Sequence, residues 1–230
     1  MDHLPILLNV KDRRTLVVGN GVVAARKADL VLRAGSRVTI VTPELGDELE
    51  RLREQYPFEH KSESLCAEDL SDCVVVFGCS ANDDINQKLC RLAAEAGIMV
   101  NVPDQLGFSD FTMPAVVDRT PLLIAISSGG ASPLLTRSMK ARFETEIPAA
   151  YGRLAEFAGR YRDRIKTMVP NATRRRRFWE SMISGPVAEH LFSAQIEEAE
   201  TMMDSLLEEA SKDGAKPPEG EVYLVGTGPG

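Results

Sequence analysis

The chain has 230 residues, 27 Lys and Arg against 34 Asp and Glu, a formal net charge of −7, and 43% hydrophobic residues. That length fills one large or two small domains with a real apolar core, and the acidic balance argues against a duplex nucleic-acid footprint. No run of about 18 apolar residues occurs, and Asp2 and Pro5 interrupt the start, so neither a membrane span nor a secretion leader is expected and a cytoplasmic location is the default.

Thr15-Leu-Val-Val-Gly-Asn-Gly-Val-Val-Ala24, running into Ala25 to Leu32, predicts strand, glycine turn and helix. Gly19 permits the tight turn, Gly21 lets backbone approach a pyrophosphate, and Ala24 stands at the third small position of the G-x-G-x-x-G/A dinucleotide pattern. Phosphates would rest on the helix N-terminus; an ordinary strand-to-helix turn is the plainer reading. Gly35 closes the helix and Arg37-Val-Thr-Ile-Val41 predicts a second strand, ending in Thr42-Pro43-Glu44. Glu44 is the carboxylate nearest to where a ribose diol would sit, and no arginine directly follows to meet a 2′-phosphate, which favours NAD over NADP.

Asp72 to Cys79 reads as a buried strand, followed by the polar loop Ser80-Ala81-Asn82-Asp83-Asp84 and a helix from Ile85 to Ala96. Gly97 to Val102 predicts another strand. This alternation implies a parallel sheet with the loops at Gly19, Thr42, Ser80 and Asn101 on one edge. Asp104 lands there too, as an acid or base or as a turn cap.

After Pro114, Ala115–Asp118 and Leu122–Ile126 predict two strands joined at Arg119-Thr-Pro121. The loop Ser127-Ser-Gly-Gly-Ala-Ser-Pro133 then opens a helix from Leu134 to Ile147; its glycines make it an anion nest or a plain capped turn. Helices are expected over Tyr151–Met168, Ala172–Ile183 and Pro186–Ala210, with a linker over 211–219. Arg174 to Arg177 is either a solvated helix face or a site for a polyanionic small molecule. Cys66, Cys73, Cys79 and Cys90 form no C-x-x-C pair and read as reduced core residues. His3, His60 and His190 lack the spacing of metal ligands, so no resident metal is expected.

Met1-Asp-His-Leu-Pro5, Val18 to Lys27, Asn101-Val-Pro-Asp104, Phe111-Thr-Met-Pro114, Ser127 to Pro133 and Arg175-Arg-Arg-Phe-Trp-Glu180 together resemble the N-terminal module of bifunctional siroheme synthases, precorrin-2 dehydrogenase/sirohydrochlorin ferrochelatase. The resemblance implies an α/β fold: a Rossmann-like NAD-binding domain (1–113), a small α+β dimerisation region (114–150) and a helical domain (151–210). Gly220 to Gly230 looks like the start of the uroporphyrinogen III methyltransferase domain, which implies a truncated chain with Pro229 in a methyl-donor loop for S-adenosyl-L-methionine.

The same resemblance implies a homodimer with exchanged elements, Val22, Val23, Pro43 and Glu44 at NAD, and Asp104 as acid–base in both precorrin-2 oxidation and ferrous iron insertion, with iron as substrate. Ser128 matches a serine phosphorylated in similar enzymes. With Gly129 and Gly130 it would face a polycarboxylate tetrapyrrole, and Arg119 and Arg137 are candidate carboxylate partners. Asn20 departs from the glycine that many relatives carry, a change tolerable in a left-handed or solvent-facing position. The other readings are a dehydrogenase without chelatase activity and an NAD-sensing module without chemistry.

Overall fold

The structure, a computed structural model, describes residues 3–103 and 105–212. The chain divides into two compact units, Met1–Pro114 with Ser127–Pro133, and Ala115–Ile126 with Leu134–Gly230.

The first unit is built on β1 (Arg14–Val18), α1 (Val22–Arg33), β2 (Arg37–Val41), α2 (Asp47–Gln55), β3 (Glu59–Lys61), β4 (Cys73–Gly78), α3 (Asp83–Ala96) and β5 (Met99–Asn101). All five strands are parallel, in the order β3-β2-β1-β4-β5, so the direction of winding switches between β1 and β4. Helices cover both faces, which is why the central strands are continuous apolar runs rather than alternating ones. Val17, Ile40, Val75 and Phe77 pack with Ala24, Ala28 and Leu49 of α1 and α2. Leu16, Val18, Val41 and Val76 point the other way, against Leu89 and Ala93 of α3.

Two elements carry little sequence signal. Helix α2 reads Asp-Glu-Leu-Glu-Arg-Leu-Arg-Glu-Gln and buries only Leu49 and Leu52, while β3 is Glu-His-Lys on the sheet edge. Helix α3 begins at Asp83, two residues before the expected Ile85, because Asn82 caps it by accepting the Asp84 N–H (2.9 Å). It ends on Gly97 in the left-handed conformation.

The second unit holds an antiparallel hairpin, β6 (Ala115–Arg119) and β7 (Leu122–Ile126), and the helices α4 (Pro133–Glu146), α5 (Ala150–Met168), α6 (Ala172–Ser184), α7 (Pro186–Phe192) and α8 (Ile196–Ser211). Leu154, Phe157, Ile165, Met182, Leu191, Met203 and Leu207 form the core of α5–α8. The single helix expected over Pro186–Ala210 is broken at Ala194, which is left-handed (φ 59°). The Gln195 N–H closes the turn on His190 O (2.8 Å). Breaking there lets the Val187–Leu191 face and the Ala199–Leu207 face both join one core, so tertiary packing overrides local propensity.

The basic run is used locally. Arg174 Nη2 donates to the carbonyls of Ala210 (2.7 Å) and Lys212 (3.0 Å), Arg175 Nη1 to those of Val169 and Pro170, and Arg176 pairs with Glu180. Three of the four arginines thus serve helix ends and an i,i+4 pair. Helix α4, in contrast, buries none of its residues, and Leu134 and Leu135 are 74% and 56% exposed. Among the described residues no helix is long and apolar enough to cross a membrane.

Candidate functional site

Parallel pairing brings the C-terminal ends of the strands together: Val18 lies opposite Val41 and Gly78, and Phe77 opposite Asn101. The loops at Gly19, Thr42, Ser80 and Asn101 therefore share one edge, where open α/β sheets bind ligands.

The glycine turn has two different jobs. At Gly19 (φ 129°) an added Cβ would lie 2.4 Å from both C and O of Cys79, so β1 and β4 could not close there with any other residue. At Gly21 (φ 88°) an added Cβ would meet nothing within 4 Å, so this glycine supplies conformation and leaves space in front of it. Gly21 is the N-cap of α1 and provides no side-chain cap. The first-turn N–H groups, Val22 and Val23 among them, consequently lack intrahelical acceptors and carry the positive end of the helix dipole. An open cradle beside unbonded N–H groups fits a dinucleotide pyrophosphate.

Asn20 is solvent-facing and has no positive φ. Its Oδ1 accepts the N–H of Gly21 (2.9 Å) and that of Gly46 (2.7 Å). At the end of β2, buried Thr42 donates its N–H to Lys61 O (3.1 Å) and its hydroxyl to Glu44 O (3.1 Å), leaving Pro43 and Glu44 exposed. His60 Nε2 bonds Thr42 O (2.9 Å). Beyond them, Lys61 Nζ pairs with Asp69 Oδ1 (2.6 Å) and reaches Cys66 Sγ (3.3 Å).

Ser80 is fixed by Asn86 and followed by exposed Ala81. Asn86 was not evident as a functional support from sequence, although it occupies the apolar stripe of α3 with Leu89 and Ala93, an odd place for a carboxamide. Asn101 is buried; its Nδ2 donates to Phe111 O (2.8 Å), while Oδ1 is buried without a hydrogen-bond partner. Ser109 and Asp110 bind the edge of β5, through Val102 N–H to Ser109 Oγ (2.9 Å) and Val100 N–H to Asp110 Oδ2 (2.9 Å). Asp104 and Pro229 lie outside the described residues.

The Ser127–Pro133 loop belongs to the same unit as the sheet. Gly129 (φ 61°) and Gly130 (φ 87°) both take positive φ, which glycine adopts without strain. Much of the loop's donor capacity is used inside it, however: Gly129 N–H donates to Ser127 Oγ (3.1 Å), Ala131 N–H to Ser128 O (3.1 Å) and Ser132 N–H to Ser128 Oγ (3.0 Å). Arg119 and Arg137 belong to the second unit. The Arg119 guanidinium donates to the carbonyls of Ile147 (2.7 Å), Asp118 (2.9 Å) and Glu144 (3.1 Å), so it holds the end of α4. Arg137 is exposed on α4.

The cysteines are placed as structure. Burial pushes the Cys79 thiol up to about 11 against the pull of the Lys27 ammonium, and burial also raises Cys73 and Cys90. Among the described residues no group of three or more His, Cys, Asp or Glu could hold a metal ion.

Residues 6–115 match the sequence family described as "Putative NAD(P)-binding", and residues 150–207 the family described as "Sirohaem synthase dimerisation region". Over its whole length the chain is 43% identical to a siroheme synthase of Nitrosococcus oceani and 46% identical to one of Nitrosospira multiformis. The whole of the chain is thus homologous to the N-terminal half of siroheme synthases. It spans about half the length of these relatives, 48% and 49%. In fold it resembles the solved structure of SirC, precorrin-2 dehydrogenase, with TM-score 0.75 at 21% identity over 90% of this chain and all of that one. The siroheme synthase dimerisation match covers α5 to α8, the part that the sequence reading set apart as a helical domain, and not the 114–150 segment.

Proposed function

We propose that the chain oxidises precorrin-2 to sirohydrochlorin with NAD and then inserts ferrous iron, giving siroheme, as a homodimer. The observation that carries this reading is similarity to siroheme synthases along the whole of this chain, about half of theirs, in a chain whose sheet edge presents the Gly19–Gly21 cradle.

NAD, when bound, supplies the hydride acceptor for the first step. The N–H groups of Val22 and Val23 hold the pyrophosphate, and Glu44 accepts from the ribose hydroxyls. A carboxylate there also repels a 2′-phosphate, which favours NAD over NADP. Precorrin-2 loses a hydride and a proton. Asp104, three positions after β5, is the group to take that proton and pass it to solvent and, in the second step, to relay to solvent, one at a time, the two pyrrolic protons displaced by iron. The macrocycle itself supplies four nitrogen ligands, so iron is a substrate and needs no resident protein cage.

Homodimerisation is supported by α4, none of whose residues is fully buried, and by the two-stranded β6–β7 sheet, too small to be stable alone. Ser128 lies in the loop assigned to the substrate. A phosphate there adds about −1.5 to −2 charges and repels the substrate carboxylates.

Replacing Asp104 by Ala in the full chain tests the assignment. Both oxidation and iron insertion should fall by about 100-fold or more with NAD affinity unchanged. Loss of NAD affinity would instead assign Asp104 to the cofactor.

A further inference from the structure

The cofactor edge contains a contact that no part of the dinucleotide pattern requires. Asn20, in the middle of the glycine turn, places one oxygen on two backbone N–H groups: its neighbour Gly21 at 2.9 Å and Gly46 at 2.7 Å. Gly46 is the N-cap of α2 and closes the five-residue loop Thr42–Gly46. The other end of that loop is tied by Thr42, whose N–H bonds Lys61 O and whose hydroxyl bonds Glu44 O. Exposed Glu44 therefore stands between two anchors, one in β3 and one in the glycine turn.

We propose that Asn20 is a positioning residue for the nucleotide, a clamp that fixes the ribose loop carrying Glu44 at a set spacing from the pyrophosphate-facing N–H groups of Val22 and Val23. A loop ordered before the ligand arrives loses less conformational entropy on binding. The shared acceptor also orients Gly21, whose N–H it occupies, so the dinucleotide is left to the donors beyond it. The fit is close: a Cβ on Gly46 would lie 2.7 Å from Asn20 Oδ1 and 3.3 Å from its Cγ. Gly46 itself sits at φ −83°, ψ 167°, an extended conformation open to any residue, so alanine there would act through the clamp and not through backbone strain.

This inference rests on the nucleotide reading above, and a double-mutant cycle separates the two. NAD dissociation constants are measured by calorimetric titration for the full chain, for Asn20→Ala, for Gly46→Ala and for the double variant, together with the unfolding midpoint of each without ligand. Asn20→Ala and Gly46→Ala should each weaken NAD binding about three- to tenfold, the size expected for losing one or two exposed hydrogen bonds. The double variant should be no weaker than Asn20→Ala alone, because the added methyl then has no amide to displace. The ligand-free midpoints should stay together. Effects that simply add, or single variants that bind as the parent does, overturn the clamp while leaving the nucleotide site intact. A parent chain that binds no NAD overturns the nucleotide reading itself, and the clamp's role with it.

Discussion

Asn86 grips Ser80 from both sides: its Nδ2 donates to Ser80 O at 2.9 Å and its Oδ1 accepts the Ser80 N–H at 3.1 Å. The amide is buried beneath the loop that follows β4, so it satisfies in one side chain two backbone groups at the cofactor edge. Asn86→Leu keeps the branched shape, with a bulkier side chain, but strands both groups. It should cost about 2 kcal/mol, read as a shift in urea midpoint at unchanged slope.

The two glycines of the turn should separate fold from function. Gly19→Ala drives a methyl into the Cys79 backbone and should destabilise the chain by at least about 2 kcal/mol, as overpacking with strain does. Gly21→Ala meets only solvent and carries only the backbone strain of φ 88°, ψ −170°, a region that is nearly glycine's alone, about 1–3 kcal/mol. A bulkier residue at Gly21 should block oxidation yet spare iron insertion into supplied sirohydrochlorin. Chemical denaturation with NAD titration checks the first pair, and the two activities, assayed separately, check the last.

Lys61 and Asp69 tie β3 to the turn that precedes β4, and they set a pH dependence. Burial alone would raise the Asp69 carboxyl, but the Lys61 ammonium and the Cys66 N–H outweigh it and hold the group below its ordinary 3.8. A depressed carboxyl contributes stability above its unfolded value and loses it as pH falls through the folded one. The stability gap between the parent and Asp69→Asn should therefore be full at pH 6 and shrink steadily below pH 4. A gap that is constant across that range would show that the pair does not titrate with folding.

Thiol chemistry gives an independent check on the core. With its thiol pushed to about 11, Cys79 holds about one part in a thousand as thiolate at pH 8. Native protein should resist iodoacetamide at Cys79 and at buried Cys73, while unfolded protein reacts at both. Mass-spectrometric peptide mapping reads the difference directly.

Much of this architecture was written locally. The run from Thr15 to Leu32 names its strand, turn and helix because apolar period and glycine placement change within a few residues. The hairpin at 115–126 was legible for the same reason. Helix α2 and strand β3 were not, since a polar surface helix with two buried leucines and a Glu-His-Lys edge strand have almost no pattern. The break at Ala194 depends on two helices sharing a core, which no local signal records. At the site, sequence found the glycines, Thr42 and Asn101, whose positions follow from strand ends. Asn20 was visible only as a departure from glycine, because its partner Gly46 lies 26 residues away. Arg119, read as a partner for substrate, is bonded to carbonyls that only the folded α4 brings to it.

NAD-dependent oxidation of precorrin-2 is tested anaerobically: the purified chain is given precorrin-2 and NAD, and NADH and the tetrapyrrole spectrum are followed together. NADH and sirohydrochlorin should form in equal amounts, faster with NAD than with NADP. NAD bound but no NADH formed, with the precorrin-2 spectrum unchanged, would contradict it.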